Sequence, residues 1–486
     1  FRSGACDGTA QGNEGMHFIL PSRDIIANDI EIMAEAHRLD GIVMLGSCDK
    51  TVPGMLMAAA RLDIPTIFLA GGPMLGGAKF DNRKSDLTSI SEGLGMLKSG
   101  KITEEEYDKL EESSAPTCGS CSFYGTANTM CCIAEAMGMS IPGTALIPAV
   151  FADRIRAAEV TGKEIVNLVK KNISGKDIIT LDSLKNSIKV LMATGGSTNG
   201  VLHTLAIAAE LGIDSEVIME IFDSLSETVP QVAKVNPSSE YNMEDFYYAG
   251  GIPQVMKELR SILSTNCMTV TGNTVEENLA QLDPSFNVNR NVIKTIDEPF
   301  SSSKGIAILR GNIAPDTGVT KPAAIDPSMW NFTGTAKTFN SEEEAEKAIL
   351  GGKIKAADIV VIRYEGPKGG PGMREMYKAM KYLYGAGLSK KTAIITDGRF
   401  SGTNNGCFVG HISPEAAEGG PIAIIENGDK ITIDIQNKSI HLHVSDKEIE
   451  KRLNKWKKPE PKYTKGYLAL YSKLAQSASK GAILKV

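Results

Sequence analysis

The stretch GIVMLGSCDKTVPGMLMAAARLDIPTIFLAGG, residues 41–72, decides the fold. Gly41–Gly46 is a short apolar run that ends in glycine, as a buried parallel strand does. Pro53 sits where a helix is starting and a missing N–H costs little. The helix continues through Met55, Leu56 and Ala59, and a second apolar run follows at Thr66–Ala70, ending in Gly71-Gly72-Pro73. Strand, helix and strand with glycine at the strand ends is a βαβ unit. Ligands of such units gather beyond the carboxyl ends of the strands. That rule directs attention to Ser47-Cys48-Asp49-Lys50, directly after the first strand.

Upstream, Ile26, Ile30 and Met33 form a helical stripe. Downstream, residues 76–115 read as a polar excursion, and Ser122–Met139 as a buried helix rich in alanine and methionine. Residues 150–285 read mainly as helices, broken at Gly195–Asn199. Asp297–Lys304, with Pro299 and three serines, reads as a linker. Beyond it the character changes. Gly305–Leu309, Asp358–Ile362, Thr392–Thr396, Pro421–Ile425, Lys430–Ile435 and Ser439–Val444 read as strands, with a hairpin signal at Asn427-Gly428. This half reads as a mostly β domain resembling a barrel.

Composition narrows the function. The chain has 486 residues and a net charge of −6, so no strong positive field exists to meet nucleic acid. No apolar run is long enough for a membrane span. Eight cysteines in a chain of this length are too few for a disulfide scaffold, which favours thiols or metal ligands in a cytoplasmic setting. The 48 glycines imply many tight turns and close backbone approaches. The chain opens at Phe1 with Cys6-Asp7-Gly8 close behind, which reads as an N-terminally incomplete chain.

Cys48 beside Asp49 pairs a soft ligand with a hard one, the mark of two adjoining metal centres. Taken alone, these residues are better accounted for by an ordinary surface turn with an Asp49–Lys50 ion pair. Cys118-Gly119-Ser120-Cys121 is a lone CxxC, open to zinc, redox chemistry or a cluster. Without a second CxxC a four-cysteine zinc site is disfavoured. Cys131, Cys132, Cys267 and Cys407 read as structural thiols. Gly366–Glu375 carries a glycine-rich turn that could cradle phosphate, although no Walker pattern is present, and it ends in a candidate carboxylate ligand. Asp397–Gly402 follows a strand, but Ser401 is not in a G-x-S-x-G elbow, so a serine hydrolase is disfavoured. The absence of paired histidines disfavours a zinc hydrolase, and His441 and His443 read as structural or exposed.

Cys6-Asp7-Gly8, Ser47–Lys50, Pro116–Cys121, Pro371–Glu375 and Asp397–Gly402, in that order, resemble the dihydroxy-acid dehydratase and sugar-acid (aldonate) dehydratase family, closest to the dihydroxy-acid enzymes. The likeness extends to Pro53–Met57, Gly71–Met74 and Gly195–Asn199. It implies an α/β fold with a large N-terminal domain, residues 1–296, built on a parallel sheet, and a smaller β-barrel-like domain, residues 305–486. It also implies a homodimer or homotetramer acting on a small 2,3-dihydroxy acid of branched-chain amino-acid synthesis, with an aldonic acid as the alternative substrate. A non-catalytic iron–sulfur protein on the same scaffold is a different class of reading, and it leaves Ser401 and the carboxylates without a role.

Residue by residue, the resemblance makes Cys48 and Cys121 ligands of an iron–sulfur cluster, [2Fe–2S] favoured over [4Fe–4S]. An upstream cysteine is the favoured third ligand, with Cys118 and then Cys6 as local substitutes. Asp7, Asp49 and Glu375 become Mg²⁺ ligands, joined by Lys50 as an N-carboxylated carbamate. Ser401 becomes the proton acceptor. These types suit the chemistry. Hydroxide is a poor leaving group that a Lewis acid helps to depart, and an enolate needs fixed positive charge. A serine works as a base only beside a cation that stabilises its alkoxide.

Overall fold

The computed structural model describes residues 4–98, 100–282, 288–303, 305–402 and 406–485. The reading of an incomplete start at Phe1 and the Lys304 end of the linker lie outside them. The chain forms two compact units. One comprises Phe1–Ala5 and Ser22–Gly305, the other Cys6–Pro21 and Ile306–Val486.

In the first unit β1 (Ile42–Gly46) and β2 (Thr66–Ala70) pair in parallel, Ile42 opposite Thr66 and Gly46 opposite Ala70. The helix Thr51–Arg61 connects them, so the βαβ unit is present. The parallel sheet expected around it is reduced, among the described residues, to this single pair. Helices take the place of further strands. β2 is buried throughout, whereas β1 alternates, with Val43 and Leu45 exposed at 41% and 61%. The connecting helix is buried along nearly its whole length. A Cβ on Gly54 would meet the Arg23 carbonyl at 2.6 Å, so only glycine lets this helix lie so close to the helix Ile19–His37. On that helix Ile26 and Ile30 are buried, but Met33 is 39% exposed, so the apolar stripe is narrower than its spacing suggests.

The helix Thr126–Ala136 is buried at every residue. Ala152–Lys171, Leu181–Thr194, Asn199–Glu210 and Ser215–Thr228 follow, with the expected break at Gly195. The polar excursion holds a short hairpin at 79–84 and the helices Leu87–Lys98 and Glu104–Ser113.

The second unit contains β3 (Ala307–Leu309), β4 (Thr317–Thr320), β5 (Asn331–Phe339), β6 (Asp358–Ile362), β7 (Glu375–Met376), β8 (Ala393–Thr396), β9 (Arg399–Phe400), β10 (Cys407–Ser413), β11 (Lys430–Asp434) and β12 (Ser439–Leu442). Eight of these form one sheet in the order β12-β11-β5-β6-β8-β10-β4-β3. A bridge between Arg310 and Ser439 brings its two edges together, so the sheet is nearly closed. Ile359, Val361, Ile395, Val409, Ile431 and Ile433 fill its interior. The helices Glu342–Leu350 and Lys378–Gly385 pack on the other face, where Val360, Ile362, Ile394 and Phe408 meet Met380 and Leu383.

Pro421–Ile425 is a correction to the strand reading. Pro421–Ile424 is a 3₁₀ turn, because proline lacks the ladder N–H, and its isoleucines drop into the barrel core instead. Asn427-Gly428 therefore joins no hairpin. Asn427 accepts the Thr338 N–H at 2.8 Å, and the hairpin falls between β11 and β12.

Candidate active site

In the first unit, the motif Ser47–Lys50 leaves β1 and runs directly into the next helix. The Val52 N–H donates to the Cys48 carbonyl at 3.2 Å and the Gly54 N–H to Lys50 at 3.1 Å. Lys50 is fully buried, with its ammonium 3.8 Å from an Asp49 carboxylate oxygen. The second cysteine motif sits at the end of β2. Ser120 donates its N–H to Gly72 at 3.0 Å and accepts from the Met74 N–H at 2.8 Å. Gly119 has φ +135° and a Cβ there would lie 2.3 Å from the Met74 nitrogen, so the turn requires glycine. Asn128, on the buried helix, donates to the Cys121 and Phe123 carbonyls at 2.6 and 2.8 Å. Adjacent parallel strands thus end in Cys48 and in the loop of Cys121, both half-buried, while Cys118 and Cys6 are exposed. Burial pushes the thiols of Cys131 and Cys407 up to about 12, and Cys132 well above its usual range. Such thiols keep their protons and make poor ligands.

In the second unit, Asp7 opens the turn Asp7–Ala10 and Glu375 lies on β7, and both are buried. β7 and β9 pair in parallel with Glu375 opposite Arg399. The fully buried Arg399 guanidinium forms an ion pair with Glu375 and lies 3.7 Å from the nearer Asp7 oxygen. Its Nε donates to the Met373 carbonyl at 2.8 Å, and Gln11 donates to Glu375 at 3.0 Å. Asp7 and Glu375 each offer an oxygen within 4.8 Å of the other's. Ser401 follows β9 with its N–H on the Met376 carbonyl at 3.2 Å, and it is 7% exposed. It stands two residues beyond Arg399, directly after the strand that carries it.

Asp397 is fully buried and accepts the N–H groups of Tyr364, Glu365 and Ala416 at 3.1, 3.0 and 2.9 Å, tying down the turn that delivers Arg399 and Ser401. Glu415 accepts the N–H groups of Lys368 and Gly369. Burial, followed by repulsion from Asp397, pushes Glu415 up to about 8. The glycine-rich turn therefore wraps a carboxylate of its own chain, which corrects the phosphate-cradle reading.

The donor sets fit two different groups. Two buried carboxylates share one guanidinium and leave negative charge, which suits a hard divalent cation. Two half-buried thiols at neighbouring strand ends suit a soft metal or cluster. Arg399 and Gln11 were not singled out from sequence. The available signal was an arginine two positions before Ser401 in one short strand.

The family model "Dihydroxy-acid/6-phosphogluconate dehydratase N-terminal" matches residues 1–278, and its C-terminal counterpart matches residues 291–482. The chain belongs to this dehydratase family. It is a hydro-lyase. Its curated relatives include the dihydroxy-acid dehydratase of Caldanaerobacter subterraneus subsp. tengcongensis, 52% identical over 99% of this chain and 86% of the relative. That of Caldicellulosiruptor bescii is 50% identical over 99% and 87%, and that of Acetivibrio thermocellus 49% identical over 99% and 86%. No helix among the described residues is long and apolar enough to cross a membrane.

Proposed function

We propose that this dehydratase works with Ser401 as its base, Asp7, Asp49 and Glu375 as Mg²⁺ ligands with Lys50 carboxylated beside them, and Cys48 and Cys121 as iron–sulfur ligands. The reaction is that of a dihydroxy-acid dehydratase: a 2,3-dihydroxy carboxylic acid loses water and leaves as the 2-oxo acid. When bound, the metal groups supply Lewis acidity for the departing hydroxyl and positive charge for the enolate. Ser401 takes the C2 proton. Arg399 fixes Glu375 and Asp7 in place and offsets their mutual repulsion. Lys50, buried against Asp49, turns from a cation into an anionic oxygen ligand on carboxylation, which suits a hard metal.

The observation that carries the reading is the buried Asp7–Arg399–Glu375 cluster with Ser401, itself buried, directly after the strand that carries Arg399. A scaffold that only held a cluster needs none of these residues. The names of the relatives, at about half identity over nearly the whole chain, support a dihydroxy acid as the substrate, and within that class we take it to be a branched-chain one. The exposed Val43 and Leu45 on β1 support self-association as a homodimer or homotetramer, and eight cysteines, too few for a disulfide scaffold, support a cytoplasmic setting. The test is turnover of 2,3-dihydroxy-isovalerate against several aldonic acids by reconstituted protein. Faster turnover of an aldonic acid would overturn the branched-chain assignment, and inactivity on every dihydroxy acid would overturn the enzyme reading.

A further inference from the structure

Lys321 follows β4 directly and is 2% exposed. Other buried cations have partners: Lys50 has Asp49, Arg399 has Glu375 and Asp7, and Arg374 has Glu342, Glu343 and Glu365. Among the described residues, no ion pair or side-chain hydrogen bond reaches the Lys321 ammonium. Burial alone lowers its pKa to about 8, with no charged group contributing. A buried charge without a partner costs stability. Proteins tolerate that cost where the charge has a function.

The strand register places this charge. Thr320 stands opposite Val409, and its hydroxyl donates to the Phe408 carbonyl at 2.7 Å. Continuing that register one residue past the end of β4 sets Lys321 against Phe408, and directly opposed residues of antiparallel strands share a face. Val409 belongs to the barrel interior, whereas Phe408 faces the layer of Phe400, Met376 and Met380. The Phe408 ring stacks on Phe400, centroids 5.3 Å apart, and Phe400 is followed by Ser401. Lys321 thus lies on the face of the sheet that β9 covers, the strand that presents Ser401.

We propose that Lys321 is a substrate-binding residue whose ammonium pairs with the carboxylate of the incoming acid. The proposal rests on the dehydratase reading, because a dihydroxy acid is an anion at neutral pH. Binding then supplies the counter-charge that the described residues do not.

The test compares Lys321→Met, Lys321→Gln and Lys321→Arg with the wild type in the cofactor-loaded enzyme, measuring KM and kcat on 2,3-dihydroxy-isovalerate and Tm without substrate. Lys321→Met should raise KM roughly tenfold to a hundredfold, as for a lost charge-assisted hydrogen bond. It should also raise Tm, because an unpaired buried charge has been removed. Lys321→Arg should recover part of the KM. An unchanged KM in Lys321→Met beside an active wild type overturns the proposal. So does a lower Tm in both neutral variants, which marks a lysine that anchors the fold. An inactive wild type counts against the substrate reading instead, and the Tm comparison still decides whether Lys321 is an uncompensated charge.

Discussion

The ends of β1 and β2 and the β7–β9 ladder assemble chemistry in opposite ways. In the first unit, Cys48, Asp49 and Lys50 are consecutive, and Cys121 is held at the next strand end by backbone pairing with Gly72 and Met74. The Cys48 and Cys121 thiols are half-buried. In the second unit, Asp7, Glu375 and Arg399 come from distant parts of the chain and are almost wholly buried. Thiols proposed as soft ligands at strand ends would need little burial, because a metal–thiolate bond tolerates partial solvent. Clustered carboxylates in the interior need a cation at all times, and Arg399 supplies one.

The sharpest way to break this contrast is to remove a thiol. Cys48→Ser or Cys121→Ser should lose the visible absorption and the iron of a reconstituted sample, and turnover with them, whereas Cys131→Ser should keep all three. Retained iron in both of the first variants would move the cluster elsewhere. Ser401→Ala comes next and acts on the other region. It should cut kcat by about 10²–10⁴, the usual loss for a general base, and leave metal content unchanged by elemental analysis. Turnover near that of the wild type ends the assignment.

Arg399→Met should lower the stability of metal-free protein by about 3–5 kcal/mol, because it leaves Asp7 and Glu375 buried without their counter-ion. Added Mg²⁺ should recover much of that by mass action. Urea midpoints with and without Mg²⁺ measure both, and a variant as stable as wild type in chelator would show that the carboxylates are not held by Arg399. The most gradual effect is a pH slope. Glu415 titrates at about 8 in the fold, above its ordinary 4.5, so the folded state holds its proton more tightly. Stability therefore falls as pH rises from about 4.5 to 8, with a slope of up to about 1.4 kcal/mol per unit from this group. Glu415→Gln can keep both backbone contacts through one oxygen, and should flatten that slope in denaturation series. An unaltered slope would mean that Glu415 does not carry it.

The strands that could be read from sequence are the ones where burial makes a continuous apolar run. Asp358–Ile362 is legible because every residue of β6 is buried. β5 is not, because its Thr and Lys positions are half-exposed and interrupt the apolar pattern. β10 is obscured by Gly410 and His411 in its middle, and β4 by its length of four residues. The isoleucines of Pro421–Ile424 are in the core as their type demands, but the proline keeps them from a ladder.

By itself the sequence determined the strand–helix–strand unit and the residues at its ends, since both follow from apolar spacing and glycine placement over a few neighbouring residues. Ser401, Glu375 and Asp7 were also named from sequence, through motif resemblance. The tertiary structure alone decided that Cys6–Pro21 packs with the C-terminal unit, that Asp7 and Glu375 share Arg399, and that Lys321 is buried with no ion-pair partner among the described residues. These depend on which distant strands lie side by side and on which charges lose their water together. Local periodicity carries no information about either.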